Sequence, residues 1–376
     1  MKVLHLVDSL ASGGAQRQLA TLLSALADSG LDLSVAIYHP LYHFRPEVED
    51  SGARLIELRG RGGRDPRVLA GLARLLSRTD YDLVHSWLRT PGILARMAAM
   101  VAGGPPVVVS ERNTDLGASW WSVPIERVLA RRAAAMIANA DAVAEHVERL
   151  VPAWSGRIDV VHNGVSERAP SEEDADAVAA FRRHHAQERG MLLGVVARVQ
   201  KQKAPLLLLK ALAGLEDDLL SRVRVIWVGE EIDTSLAADT RRAANTHRLA
   251  GRFEFLPSTR DVSQVYAAID ALVLPSLWEG FPNVVLEAMA NGRPVVATDV
   301  GDTRKLVRSG VTGWLVPPGD VAALSRALGD LLSSSPRARM QMGEEARRFV
   351  VSEYSAARLA ERTMEVYRRV LDKSGG

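Results

Sequence analysis

Two carboxylates, Glu279 and Glu287, lie eight positions apart around a Gly280-Phe281-Pro282-Asn283 turn, and this short run carries the densest chemistry in the chain. The apolar residues Ala271-Leu272-Val273-Leu274 precede it, so the segment reads as strand, loop and helix start. That is where an open α/β sheet presents its ligand. The first N–H groups of a helix have no acceptor within the helix and suit an anion. Glu279 on the loop and Glu287 in the first helical turn can each accept hydrogen bonds from hydroxyls. An anion flanked by hydroxyl-bearing groups is the outline of a nucleotide sugar. Spacing alone allows a plainer explanation, in which Glu287 complements the helix dipole and Glu279 is a solvated loop residue.

Two long cations supply what such a ligand needs. A buried strand ends at Ala197, and Arg198 and Lys203 follow it. Arginine grips phosphate oxygens bidentately and lysine adds a point charge. Together they can neutralise a diphosphate as it departs, although an ordinary basic loop would look the same and Lys201 reads as solvated. Gly13 and Gly14, in Ser12-Gly13-Gly14-Ala15-Gln16-Arg17, allow a tight turn and close backbone approach to a phosphate or sugar. They lack the third glycine of the dinucleotide fingerprint. Gly229 after a strand, and the polar turn Pro257-Ser258-Thr259 after another, offer backbone to a nucleoside. Arg59, Arg61, Arg64, Arg67, Arg74 and Arg78 face only Asp65 between positions 59 and 78, a basic stretch suited to anionic lipid or an acceptor diphosphate. Trp120-Trp121 suits a membrane interface, a sugar ring or a core equally well.

These groups need a frame. At 376 residues the chain exceeds one ordinary core, and 47% hydrophobic with 24% charged residues is a globular composition. Strand patterns fall at 2–7, 33–38, 53–58, 82–85, 106–110, 134–138 and 158–161, then at 191–197, 223–228, 252–256, 270–274, 294–298 and 313–316. Helical patterns between them predict two parallel sheets, each covered on both faces. The domains are expected at 1–165 and 190–350, with a polar, solvated helical connection from 166 to 190. A last helix, about 355–372, is expected to pack back on the first domain. The formal charge of +2 gives no argument for nucleic acid, and the absence of cysteine excludes disulfides and thiolate metal sites. The N-terminus reads as a first strand rather than a signal peptide, and no run reaches the roughly 18 apolar residues of a membrane span.

Glu279 through Ala290, Arg198 with Lys203, Gly13-Gly14-Ala15 and His162-Asn163-Gly164-Val165 together resemble the retaining glycosyltransferases of family GT4. The likeness runs over nearly the whole chain, in the expected order. It implies the GT-B fold, two Rossmann-like domains whose parallel sheets face an interdomain cleft, with the acceptor on the N-terminal domain and the donor on the C-terminal one. It further implies that Arg198 and Lys203 hold the diphosphate and that Glu279 with the backbone of Gly280, Phe281 and Asn283 engages the donor sugar. Glu287 would take the ribose hydroxyls, backbone near Thr259 the base, and Gly13-Gly14 the donor phosphate. A UDP-sugar co-substrate is favoured, with no cofactor, no catalytic metal and front-face attack assisted by the leaving phosphate; Asp217-Asp218 reads as surface rather than as a metal site. The expected partner is a glycan or polyprenyl-diphosphate-linked acceptor of bacterial surface polysaccharide synthesis, reached from the cytoplasm at the inner face of an anionic membrane. The sequence departs from the family at Arg112, which stands where many members carry a histidine and cannot serve as a base at neutral pH. It is expected to orient sugar and acceptor or to meet an anionic acceptor, with His85 lining the same place. A nucleotide-sugar 2-epimerase, a transferase acting on a secondary-metabolite aglycone and a silent binding protein are the alternatives.

Overall fold

The computed structural model describes residues 1–60, 62–112, 122–166, 172–186, 190–246 and 248–374. Arg61 and the Trp120-Trp121 pair lie outside them. The chain forms two compact units, Met1–Ser166 with Tyr354–Gly376, and Glu167–Glu353. Among the described residues no helix is long and apolar enough to cross a membrane.

The first unit runs β1 (Lys2–Leu6), α1 (Gly14–Leu26), β2 (Asp32–Ile37), α2 (Arg45–Asp50), β3 (Arg54–Glu57), α3 (Pro66–Arg78), β4 (Leu83–Trp87), α4 (Arg89–Ala102), β5 (Val107–Glu111), α5 (Ser122–Leu129), β6 (Ala135–Ala138), α6 (Asp141–Leu150) and β7 (Ile158–Val160). All its pairings are parallel, in the order β3-β2-β1-β4-β5-β6-β7. Strand order reverses between β1 and β4, so loops leaving these two strands diverge and open a crevice at their carboxyl ends. Every residue of β4 and β5 is buried, as expected of parallel strands covered on both faces.

The second unit runs α7 (Glu172–His185), β8 (Met191–Val196), α8 (Pro205–Ala213), α9 (Asp217–Ser221), β9 (Val223–Val228), α10 (Thr234–Ala244), β10 (Phe253–Leu256), α11 (Val262–Ala268), β11 (Ala271–Leu274), α12 (Asn283–Ala290), β12 (Val295–Thr298), α13 (Thr303–Leu306), β13 (Gly313–Val316), α14 (Val321–Ser333) and α15 (Pro336–Glu353). Its sheet is again parallel, ordered β10-β9-β8-β11-β12-β13, with the switch point between β8 and β11. Asp233, Asp261 and Asp320 cap α10, α11 and α14 with their carboxylates. The four helices that follow the switch-point strands, α1, α4, α8 and α12, open with no side-chain cap.

The last helix, α16 (Ala356–Ser374), belongs to the first unit. Leu359, Ala360, Val366, Tyr367 and Val370 join Leu19, Leu22 and Leu23 of α1 in that unit's core. The His162-Asn163-Gly164-Val165 run explains how the chain returns. Gln18 clasps Gly164, accepting its N–H on Oε1 at 2.8 Å and donating Nε2 to its carbonyl at 2.9 Å. Val165 N–H donates to Tyr354 O at 2.8 Å. A side chain on Gly164 would run into Leu359 and the Ser355 carbonyl, at 2.9 and 3.0 Å. The solvated connection expected at 166–190 is corrected in its helical part. α7 packs on α11, Arg182 donates to Ala268 O at 2.6 Å and to both Asp270 oxygens at 2.9 Å, and buried His185 meets Glu254 at 3.0 Å. Its charges looked solvated because their partners lie more than 60 positions away, beyond any local pattern.

Candidate active site

In the second unit, the residues singled out from the sequence gather at the carboxyl ends of the strands around the β8–β11 switch. Lys203 follows β8 on a tight 3-10 turn, Lys201–Lys203, and its Nζ forms an ion pair with Glu279 Oε1, which follows β11. Both side chains are mostly buried, at 15% and 10% exposure. Ser276 Oγ donates to the same Glu279 oxygen at 2.6 Å. Gln202 Nε2 donates to Trp278 O at 2.7 Å and to Glu279 Oε2 at 3.4 Å, while Gln202 O accepts Leu277 N–H at 2.8 Å. The two loops are thus laced together, and Glu279 is fixed in place four residues before α12 begins. Arg198 differs: it is exposed and makes no ion pair among the described residues.

Glu287 lies in α12, and Tyr266 of α11 donates its hydroxyl to Glu287 Oε2 at 2.7 Å. Tyr266 itself is 1% exposed. Phe281 is buried and anchors the turn, while Gly280 O accepts Asp302 N–H at 3.0 Å. Thr259 lies exposed on the turn after β10, at the same end of the sheet. Gly229 follows β9 so close to the residue after β8 that a Cβ would strike the Ala197 carbonyl. Asp217 and Asp218 are 90% and 70% exposed and pair with Arg248 and Arg222.

The first unit's switch point has a different character. Gly13 is extended at the start of α1, its carbonyl accepting Arg17 N–H at 2.9 Å, and Gln16 Nε2 donates to Asp8 at 2.9 Å. The expectation that His85 lines a ligand-facing surface is corrected. β4 extends to Trp87, which puts His85 in mid-strand at 1% exposure. Its Nδ1 lies 2.5 Å from the Tyr367 hydroxyl and its Nε2 2.7 Å from Ser110 Oγ, so partners of its own unit occupy both nitrogens. Trp87 Nε1 donates to His5 Nδ1 at 3.1 Å, and the His85 and Trp87 rings stack at 4.8 Å. Burial pushes His5 down to about 3 and holds His85 well below the usual histidine range.

Arg112 leaves β5 above this cluster. Its guanidinium lies 4.2 Å from the Trp87 ring centroid, Nη1 donates to Asn163 Oδ1 at 2.7 Å, and the buried Nε meets no hydrogen-bond partner among the described residues. Desolvation pushes it down to about 9. No carboxylate is paired with it among the described residues: neighbouring Glu111, whose carboxyl burial pushes up, pairs instead with Arg89 at 3.0 Å.

Sequence reasoning missed Gln202, Ser276, Tyr266 and Gly301. Gly301 has φ +54°, and a Cβ there would fall on the Glu279 and Gly280 carbonyls, so it seats the Glu279 loop from behind. Its position just after a strand, in Asp299-Val300-Gly301-Asp302, was the available signal. The two positive-φ residues other than glycine among those described, Leu88 and Ala204, follow β4 and Lys203. One strained residue therefore stands at each switch point, a placement frequent at functional sites.

Comparison with known proteins bears on both units. The Glycosyltransferase Family 4 model matches residues 12–168 and the model named Glycosyl transferases group 1 matches residues 190–334. A D-inositol 3-phosphate glycosyltransferase of Mycobacterium sp. (strain KMS) is 35% identical over 270 residues, 68% of this chain and 60% of the relative. Its counterpart from Streptomyces scabiei is 34% identical over 284 residues, 71% of this chain and 63% of the relative. The chain thus spans about three-fifths of the length of these relatives. The structure of the Anabaena protein HepE in complex with UDP-glucose superposes with a TM-score of 0.83, covering 98% of this chain and all of that one at 21% identity. Sucrose-phosphate synthase from Thermosynechococcus elongatus gives a TM-score of 0.81 at 19% identity, covering 99% of each chain.

Proposed function

We propose that this chain, which belongs to the GT4-like glycosyltransferases of GT-B fold, transfers a hexose or N-acetylhexosamine from UDP to an acceptor hydroxyl, with retention at the anomeric carbon and without a metal. One observation carries the reading: Lys203 and Glu279 are brought together at the β8–β11 switch point, beside the uncapped mouth of α12. Lys203 and Arg198 stabilise the diphosphate as the bond from the anomeric carbon to its oxygen breaks. Glu279 holds the sugar hydroxyls, and Glu287, steadied by Tyr266, takes the ribose. The acceptor hydroxyl attacks the face the nucleotide leaves, and its proton passes to a phosphate oxygen of the departing UDP. Solved neighbours of the same fold in complex with UDP and UDP-glucose support the choice of nucleotide.

For the acceptor we favour a glycan or lipid-linked hydroxyl of surface polysaccharide synthesis. The second reading is a phosphorylated cyclitol. It is favoured by the names of the curated relatives and by Arg112, a desolvated cation without a carboxylate beside it among the described residues.

A thermal-shift screen with UDP-, GDP- and ADP-sugars tests the donor, because binding to the folded state alone raises its stability. Stabilisation by the uridine compounds, a retained anomer in the product and turnover unaffected by EDTA are expected. An inverted product, strict metal dependence or epimerisation of the donor without transfer would overturn the reading.

A further inference from the structure

Large apolar side chains are exposed mainly in one place. Of the ten such residues on the described surface, Met97, Met100 and Val101 of α4 and Ile125 and Val128 of α5 make up half, with Val101 and Val128 each 75% exposed. Spacings of three and four put each set on one helical face. Arg96 and Glu126 join the two helices through a buried bidentate ion pair at 2.8 and 2.5 Å, so both stripes belong to one layer. α3 packs against α4 on the far side from α5.

The charges around these stripes are one-sided. Along α3, α4, α5 and the turn Ala130–Arg132, Glu126 is the only acidic residue, and it is buried in its pair with Arg96. Arg74, Arg78, Arg127, Arg131 and Arg132 are exposed, and none is paired with a carboxylate among the described residues. Elsewhere the same unit mixes its signs: α2 carries Glu47, Glu49 and Asp50, and α16 carries Glu361, Glu365 and Asp372. Exposed apolar groups flanked by unopposed arginines suit a surface with an apolar interior and an anionic face. Each such arginine gains from a negatively charged leaflet, and the gain is screened by salt.

We propose that the α3–α4–α5 layer of the first unit is a docking surface for an anionic phospholipid bilayer. Val101 and Val128 enter the headgroup region, the methionines follow with flexible side chains, and the arginines pair with lipid phosphates. The inference concerns where the protein works and stands apart from which sugar it moves.

Vesicle flotation of the full chain tests it, using phosphatidylcholine alone and phosphatidylcholine with about one-third phosphatidylglycerol, a content that raises the negative surface potential. Expected are binding to the anionic vesicles only and loss of that binding at about 0.5 M salt, where the screening length falls well below 10 Å. The double variant Arg131→Glu/Arg132→Glu should weaken binding at least about tenfold, and Met100→Gln/Val101→Asn/Val128→Asn should do the same with donor hydrolysis and melting temperature unchanged. No binding to anionic vesicles, equal binding to neutral ones, or binding unaltered in both variants would overturn the proposal. So would a dimer in sedimentation that the triple variant abolishes, since a second copy would then be the occupant. A chain that floats but transfers no sugar would sink the proposed reaction and leave the docking surface standing.

Discussion

The two switch points use one topology for opposite electrostatic ends. Between β8 and β11 the site is made of charge: Lys203, Glu279, Gln202 and Ser276 hold one another within hydrogen-bond reach, partly open to solvent. Between β1 and β4 it is made of rings: His5, His85 and Trp87 are fully buried and in mutual ring contact, both histidines are kept neutral, and the cation Arg112 rests on Trp87. For the donor we propose, the first arrangement can exchange its internal partners at little cost, because a diphosphate and sugar hydroxyls would replace bonds of the same kind. The second cannot rearrange without opening a packed core. It stays rigid, with Arg112 as the charged group at its edge.

This contrast can be broken at either end. The largest effect is expected for Lys203→Ala, which should lower donor turnover by roughly a thousandfold, as for loss of a main transition-state charge, with a smaller loss of stability because Glu279 keeps Ser276 and Gln202 as donors. His85→Ala should do the reverse. Emptying that buried position leaves Tyr367 and Ser110 without their partner and should cost about 3 kcal/mol in denaturant unfolding, with UDP affinity unchanged. Loss of UDP binding in His85→Ala at full stability would erase the distinction between the two sites.

Gly301→Ala probes the seating of the charged site. A left-handed backbone and two blocking carbonyls should cost roughly 2 kcal/mol and weaken donor binding together with stability, since the displaced loop carries Glu279. The pH response sharpens the other side. His5 and His85 are neutral when folded, with folded pKa values depressed below 6.5, so below pH 6.5, and for His5 down to about 3, the unfolded chain binds more protons. Stability should therefore fall as pH drops below 6.5, by up to about 1.4 kcal/mol per pH unit for each histidine. Replacing His5 with Gln should flatten that slope in a pH-dependent unfolding series. The smallest effect is expected for Tyr266→Phe, a rise of about fivefold in donor KM with kcat retained, the scale of one hydrogen bond.

Much of the fold was legible locally. The thirteen strands among the described residues lie within one or two residues of their apolar runs, because parallel strands buried on both faces must be continuously apolar. The Glu279 to Glu287 segment was legible too, since a loop between strand and helix has few ways to combine glycine, proline and carboxylate. His85 was misplaced for want of two residues: its strand runs on to Trp87, and its partners Ser110 and Tyr367 are 25 and 282 positions distant. Gln202 and Tyr266 look like ordinary polar and aromatic residues until β8 and β11 become neighbours.

The sequence by itself therefore determined which segments are strands and helices, and which loop bears the acids and which the cations, because these follow from periodicity and residue type over short distances. Only the tertiary structure decided that Lys203 meets Glu279, that His85 is enclosed and that Arg112 stands without a carboxylate partner among the described residues. The physical reason is that pairing, burial and desolvation belong to groups far apart along the chain, and no short-range pattern records them.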